Sequence, residues 1–448
     1  MKIVIAGAGS VGIHLANMLS KQEHDITLID NDEERLQLID GQVDILTVVG
    51  SCTSVGALRD AAVGKCDLYI AVNHNEDQNI NSAILAKKLG AKKTIVRVNN
   101  SEYLEKDNTT YLESIGIDSL IYPERLAAEE IVNVLKESGA RQVHDFSNKK
   151  LNLISIKLWE NALVLDQTLM DIGRSYGTDN FRVVAIKRNN TTIIPRGTDI
   201  LKYADMIYVV TKPEYIPEIF SLCGKQQVEI KNVLIVGASK IGVKTASLLE
   251  KLHYNVKLLE IDREKCLEIA DKLESTLVIN GDGRDLMTLK EEGLSNTDAF
   301  ISVTHSSETN ILTCLLAKKN GVKKSVAEVE NMSYIDLAEN IGIGSIVNTK
   351  LTTAAHIFSH TTNVRMKCMR FLTVSEAEVF EIKAEENSKI TRKMLKDIKF
   401  PENATVGGII RGEERIIAKG DTRIQAGDQV VIFALQEVVK KVISLFQK

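Results

Sequence analysis

Gly7, Gly9 and Gly12, with Ala8, Ser10 and Val11 between them, form the stretch GAGSVG directly after the apolar run KIVIA and before a helical pattern. That spacing suits phosphate chemistry. The first glycine permits a tight turn, the second lets the backbone approach a pyrophosphate, and the third lets helix pack close to strand. The first N–H groups of the helix, at the positive end of its dipole, then face the anion. Asp30 closes the run DITLID, where its carboxylate can accept hydrogen bonds from ribose hydroxyls and repel a 2′-phosphate, favouring NAD(H) over NADP(H).

The same grammar returns in GASKIG, made of Gly237, Ala238, Ser239, Lys240, Ile241 and Gly242. Here serine takes the middle position, adding a Cβ and a hydroxyl where a pyrophosphate would come closest. Its neighbour Lys240 offers a point charge to a phosphate. Glu260 stands where Asp30 stood, keeping the acceptor on a longer arm. Further polar residues fall at strand ends, where open α/β sheets bind ligands. In the first copy these are Ser51, Cys52, Asn73, His74 and Arg97. Their counterparts are Asp282 and Gly283, directly after Gly281, then Thr304 and His305, and Glu328. A guanidinium at Arg97 can hold phosphates or bridge to a neighbouring domain; Glu328 cannot do the first.

Turnover would need an acid–base group beside a nicotinamide and a substrate pocket. The one YxxxK pair, Tyr208 and Lys212, lies far along the chain from the first loop, and its spacing reads as coincidence. Around His74 and His305 no metal or triad spacing occurs. The residues therefore point to binding without catalysis. An NAD-dependent oxidoreductase with a duplicated Rossmann domain is the alternative, and a scaffold with vestigial loops is a third reading.

The elements that must position these groups follow from hydropathy. KIVIA, DITLID, ILTVV, DLYIAV and TIVRV read as strands, alternating with helical patterns such as GIHLANMLSKQ and NINSAILAKKLG. This alternation implies a parallel sheet covered on both faces. The order then recurs: NVLIVG, YNVKLLEID, STLVINGDG, DAFISVTHSSETNI and LAKKNGVKKSVAEV answer the first set in register. Gly237 follows Gly7 by 230 residues, and Gly281 follows Gly50 by 231. After each Rossmann-like lobe come three β-rich runs: FRVVAIKR, TTIIPRGTDI and DMIYVV, then ATVGGIIRG, ERIIAKGDTRI and DQVVIFAL. Gly197 lies opposite Gly420 and Asp205 opposite Asp428, and PEYIPEIFSLC and QEVVKKVISLFQ close the lobes as helices. The chain is a whole-domain duplication, with breaks expected near residues 145, 226 and 372.

Composition narrows the function. At 448 residues with 44% apolar and 26% charged residues, the chain is long enough for three or four soluble domains. Lys and Arg number 56 against 60 Asp and Glu, for a net charge of −4, which argues against a charge-driven nucleic-acid binder. Six scattered cysteines have no metal-ligand spacing and read as reduced thiols, so no metal is expected. No apolar run approaches the ~18 residues of a membrane span. The opening MKIVIAGAG is broken by glycines and reads as a first strand, not a signal peptide.

Arranged in this way, the motifs resemble the RCK family, in which a Rossmann-like TrkA-N lobe precedes a small β-rich TrkA-C lobe, doubled as in Trk-type potassium-uptake regulatory subunits. The resemblance spans essentially all 448 residues and rests on KIVIAGAGSVG, DITLIDND, VVGSCTS with VINGDGRD, AVNHNEDQNI with VTHSSETNI, and the paired RGTD and KGDT. It implies an α/β fold with TrkA-N lobes over 1–122 and 230–348, connecting helices over 123–145 and 349–370, and α+β TrkA-C-type lobes over 146–226 and 371–448. It also implies a cytoplasmic regulator that binds NAD(H), with ATP and ADP as further candidate effectors. Its expected partner is the integral-membrane potassium-translocating Trk subunit, which would hold it at the inner face of the cell membrane. A homotetramer would supply an eight-RCK ring. By motif match, Gly7 through Gly12, Asp30, Ser51, Asn73, His74 and Arg97 would bind nucleotide in the first unit, and Gly237 through Gly242, Glu260, Asp282 and Thr304 in the second. The departures are Ser239 and the loss of the arginine at Glu328.

Overall fold

The computed structural model describes the chain except residues 21–23, 38, 40, 42, 148–149, 178, 190, 226, 359–365, 372–376 and 448, and describes 366–371 by backbone alone. Expected breaks at 226 and 372 lie outside the described residues.

The first lobe contains β1 (Lys2–Ala6), α1 (Ser10–Ser20), β2 (Asp25–Asp30), α2 (Glu33–Gln37), β3 (Leu46–Val49), α3 (Val55–Asp60), β4 (Leu68–Ala71), α4 (Glu76–Leu89), β5 (Lys93–Arg97), α5 (Lys106–Ser114) and β6 (Ser119–Ile121). All six strands run parallel in the order β3-β2-β1-β4-β5-β6. The sixth, short strand was not expected from the sequence. Central strands β1 and β4 are buried almost throughout, as a sheet covered on both faces requires. Leader helix α6 (Pro123–Lys136) then carries the chain to β7 (Gln142–Phe146).

The first β-rich lobe comprises β7, β8 (Leu151–Lys157), α7 (Leu169–Tyr176), β9 (Phe181–Arg188), β10 (Thr191–Ile193), β11 (Met206–Thr211) and α8 (Ile216–Leu222). Its antiparallel sheet runs β10-β9-β11-β8-β7. The second Rossmann lobe repeats the first: β12 (Asn232–Val236), α9 (Lys240–Glu250), β13 (Asn255–Glu260), α10 (Arg263–Ala270), β14 (Leu277–Asn280), α11 (Leu286–Glu291), β15 (Ala299–Ser302), α12 (Ser307–Lys319), β16 (Lys324–Glu328), α13 (Ile335–Asn340) and β17 (Ser345–Val347), in the order β14-β13-β12-β15-β16-β17. Helix α14 (Thr349–Phe358) follows. Then come β18 (Met366–Phe371), β19 (Ala377–Lys383), β20 (Ala404–Arg411), β21 (Glu414–Ile417), β22 (Gln429–Leu435) and α15 (Val439–Phe446). The helix expected over 349–370 therefore stops short: Met366–Phe371 is a strand, because it finds an antiparallel partner in β19.

Two compact units result. One joins Met1–Leu126 with helix α14, and the other holds Ala127–Asn348 and the C-terminal β-rich lobe. The connecting helices are thus exchanged between repeats. In the first unit α14 packs on α1. In the second, Ala127, Ile131, Val132, Val134 and Leu135 of α6 join the core of the second sheet with Val233, Ile235, Ile301 and Val326. Each large aliphatic buried there contributes about 1.5–3 kcal/mol, so the exchange is a substantial part of that core.

The β-rich lobes pack sheet face to sheet face. Phe146, Leu151, Val184, Tyr208 and Val210 meet Ala377, Val379, Val431 and Phe433. Gly407 and Gly408 allow the approach, since a Cβ at either would lie 2.6 Å from Val210 or Leu151. Tyr208 is spent here, 5.8 Å from the Phe433 ring, while Lys212 lies over Tyr215. The aligned Asp205 and Asp428 do identical work, each buried and forked by one arginine, Arg188 at 2.7 Å and Arg411 at 2.9 Å.

Candidate functional site

Both Rossmann sheets reverse their strand order between the strand bearing the glycine loop and the one after it, β1 against β4 and β12 against β15. A crevice forms at such a reversal, outside the strand ends.

The glycines of each loop have different causes. Gly7 and Gly237 hold φ of +112° and +100°, and a Cβ on them would press on Asn73 Oδ1 (2.8 Å) or the Thr304 backbone nitrogen (2.9 Å). Gly12 and Gly242 are forced by the backbone, because their Cβ atoms would sit 1.8 and 2.1 Å from the carbonyl oxygens of Gly7 and Gly237. Gly9 is another matter. Its Cβ would meet nothing nearer than His74 Nε2 at 3.9 Å. Nothing in the protein demands glycine there; the space is open.

Ser239 demonstrates the point in the second loop. It adopts φ −65° and ψ 166° and caps α9, its Oγ accepting from Gly242 N–H at 3.2 Å. One first-turn donor is therefore occupied by the protein itself. At Gly9 no side chain exists to do this, and the first turn of α1 keeps that donor for another acceptor. Ser10 and Lys240 open their helices and are exposed, whereas Ala8, Val11, Ala238 and Ile241 are buried beneath the loops.

The acids hold the loops in the same way despite their different lengths. Asp30 accepts from Ala8 N–H (2.5 Å) and Asp32 N–H (2.9 Å). Glu260 accepts from Ala238 N–H (2.7 Å) and Asp262 N–H (3.1 Å), and faces Lys265 at 3.7 Å. An ionised carboxylate has about four acceptor positions, so each keeps capacity for a ribose diol.

The residues at the other strand ends fall around these loops. Cys52 is buried and accepts from Asn73 Nδ2 at 3.3 Å; burial pushes its thiol pKa up, so it stays protonated. Ser51 bonds Thr53 at 2.8 Å on the surface, and His74 is exposed. In the second lobe a cleft of about 390 Å³ is lined by Gly237, Ser239, Glu260, Gly281, Asp282 and Thr304, together with Lys265, Arg284 and His305. Asp282 is forked by Arg284 at 3.0 and 2.7 Å, which holds its carboxyl below the usual range. Arg97 points elsewhere. Its Nη2 pairs with Glu124 in the first turn of α6 at 3.1 Å, so it ties the strand end to the connecting helix. Its counterpart Glu328 is buried.

Sequence reasoning passed over two buried asparagines. Asn79 Oδ1 accepts from Asn73 N–H (2.9 Å) while its Nδ2 donates to the carbonyls of Asn73 (2.9 Å) and Arg97 (3.0 Å). Asn310 does the same with Thr304 N–H (2.8 Å) and the carbonyls of Thr304 (3.0 Å) and Glu328 (2.9 Å). Each clamps the loop that faces its glycine turn, and fully satisfied buried amides of this kind rigidify a site. The signal was present: both stand at the same register in NHNEDQN and THSSETN. Arg284, opposite Thr53 in the first copy, was also missed.

Among the described residues no group of His, Cys, Asp or Glu is arranged to hold a metal, and no helix is long and apolar enough to cross a membrane. Two Rossmann sheets bearing glycine loops, each followed by an antiparallel β lobe, define a tandem RCK-type protein. The TrkA-N domain model matches residues 3–123 and 233–349, and the TrkA-C domain model residues 153–224 and 379–447. The chain is similar to the Trk system potassium uptake protein TrkA homolog of Archaeoglobus fulgidus, 33% identical over 450 residues with 100% of both chains covered. It is also similar to TrkA of Haemophilus influenzae, 33% identical over 453 residues, covering 100% of this chain and 99% of that one. Among solved structures the GsuK channel bound to NAD shares the fold, with a TM-score of 0.62 at 15% identity over 99% of this chain and 78% of that one. The chain belongs to the TrkA family of Trk-system potassium uptake proteins.

Proposed function

We propose that this chain is the cytoplasmic nucleotide-sensing subunit of a Trk-type potassium transporter. Its Rossmann lobes take NAD(H), with ATP and ADP as competing adenine nucleotides, and it performs no turnover of its own. The observation that carries this reading is Gly9. A glycine whose Cβ would meet only open space, at a helix N-terminus and beside a ribose acceptor, is explained by a pyrophosphate that must come close. The GsuK channel, solved both with NAD and with ADP, has the same fold. Neither crevice offers a general base paired with a nucleophile, since Asp282 is tied to Arg284 and Cys52 is a buried thiol.

The partner is the integral-membrane potassium-translocating subunit, and four chains assemble an eight-unit ring on its inner face. Bound nucleotide shifts the equilibrium between arrangements of the lobes, typically by about 1–3 kcal/mol between coupled sites. A sensor must discriminate, because a ligand with equal affinity for both arrangements shifts neither. Co-purification with the membrane subunit, followed by reconstituted potassium flux with NADH, NAD, ATP or ADP, tests the reading. Flux is expected to depend on nucleotide identity and to lose that dependence in Gly9→Val. Substrate-dependent loss of NADH absorbance without a carrier would instead identify an oxidoreductase.

A further inference from the structure

Within the second unit, basic side chains from four stretches of chain converge where the first β-rich lobe meets the second Rossmann lobe. Lys324, opening β16, is buried and donates to the carbonyls of Ser138 (3.2 Å) and Ala140. An ammonium has three donors, so one remains. Lys157, ending β8, and Lys225, just beyond α8, place their Nζ atoms 5.3 and 5.2 Å from the Trp159 ring centroid. Arg141 and Lys318 complete the group, Lys318 anchored on the Gly342 carbonyl at 2.6 Å. These cations sense one another. Burial first, then Arg141 and Lys318, bring the Lys225 pKa down to about 8, and burial followed by Arg141 and Lys225 brings Lys324 to about 7. Lys157, Lys318 and Arg141 all shift downward, burial being the largest cause in each.

Counter-charge is scarce. Glu339 is the carboxylate that reaches Arg141 and Lys157, and Lys187 already engages it at 3.7 Å. Among the described residues no carboxylate lies within 4.0 Å of Lys157, Lys225, Lys318 or Lys324. Two of the twin positions are built differently. Lys93, the counterpart of Lys324, is exposed. Equivalent strand bonds, Leu158 N–H to Asp205 and Ala384 N–H to Asp428, place Glu385 opposite Trp159. Lys383 and Lys87 stand at the twins of Lys157 and Lys318, Lys87 paired with Asp118 at 2.7 Å, so what is particular to this junction is the buried Lys324 and the Trp159 ring. Like charges held together in a partly desolvated place destabilise the fold unless something neutralises them. Ammonium groups on flexible stems around an aromatic face are suited to a multivalent oxyanion, which they meet as point charges.

We propose that this junction is an anion site, in which Lys157, Lys225, Lys318 and Arg141 receive a phosphate-class oxyanion beside Trp159, apart from the two glycine loops. Trp159 is the one tryptophan in the chain, so its emission reports the site directly. The test titrates the full-length protein with inorganic phosphate, tripolyphosphate or ATP, at ionic strength held constant with potassium chloride. A saturable change in emission is expected with tripolyphosphate, weakened about ten-fold in Lys225→Gln and in Lys157→Gln. Should either variant fold poorly, calorimetry on the more exposed Lys318→Gln gives the same comparison. In a Gly9→Val background, equal affinity for tripolyphosphate and ATP identifies phosphate as the recognised group, and tighter ATP identifies a nucleotide. No saturable change in the wild-type protein, or unchanged affinity in the lysine variants, would overturn the proposal.

Discussion

The two glycine loops of this chain are the same fold element under different constraints. In GAGSVG and GASKIG the outer glycines are dictated by the backbone, at positive φ or against a carbonyl oxygen less than 2.2 Å from a would-be Cβ. The middle position is dictated by nothing inside the protein. One loop leaves it empty and the other fills it with a serine that caps its own helix. The difference separates the part of the motif that the fold requires from the part that it leaves open. It also gives one chain two unlike glycine-loop crevices.

Breaking the shared part should have the largest effect. Gly12→Ala places a methyl group 1.8 Å from the Gly7 carbonyl oxygen and is expected to cost about 3 kcal/mol or more, read as a lowered melting transition of the first unit.

The paired lysines Lys93 and Lys324 test the comparison at a second position. With a folded pKa of about 7 for Lys324 against the ordinary lysine range, the unfolded chain binds the extra proton above pH 7. Stability should therefore rise with pH between about 7 and 8.5, by up to about 1.4 kcal/mol per pH unit. Lys324→Met should flatten that rise, and Lys93→Met, at an exposed site, should leave it unchanged. Denaturant melts at stepped pH provide the measurement.

Asp30→Asn removes the charge that repels a 2′-phosphate. The preference for NADH over NADPH is expected to fall about ten-fold, measured by competition calorimetry. The smallest effects come from exchanging the middle residues. Gly9→Ser should leave stability unchanged or raise it by up to about 1 kcal/mol through capping, while NADH affinity at the first loop drops several-fold. Ser239→Gly should cost a few tenths of a kcal/mol and strengthen dinucleotide binding at the second.

Much of this organisation was legible in the sequence because it is local. Strand periodicity, glycine spacing and a register of 230 or 231 residues are patterns within short windows. What escaped depends on partners distant in sequence. The exchange of α6 and α14 between repeats is invisible to periodicity, since an amphipathic helix does not state which sheet it covers. All of strand Met366–Phe371 but its last residue was read as part of a helix because its identity rests on pairing with β19. Asn79 and Asn310 look like surface polar residues on helices until the carbonyls they serve are seen. Arg97 could equally have been a phosphate ligand or a tie to a neighbouring element, and the Glu124 pair places it in the second role.

The central claim is that the space at Gly9 is kept for a dinucleotide. The most direct measurement is calorimetric titration of NADH into the full-length protein and into Gly9→Val, with circular dichroism and melting followed in parallel. The account predicts that wild-type protein binds NADH and that the variant, folded and melting normally, loses the tighter binding by about a hundred-fold or more. Equal affinity in the two proteins would contradict it.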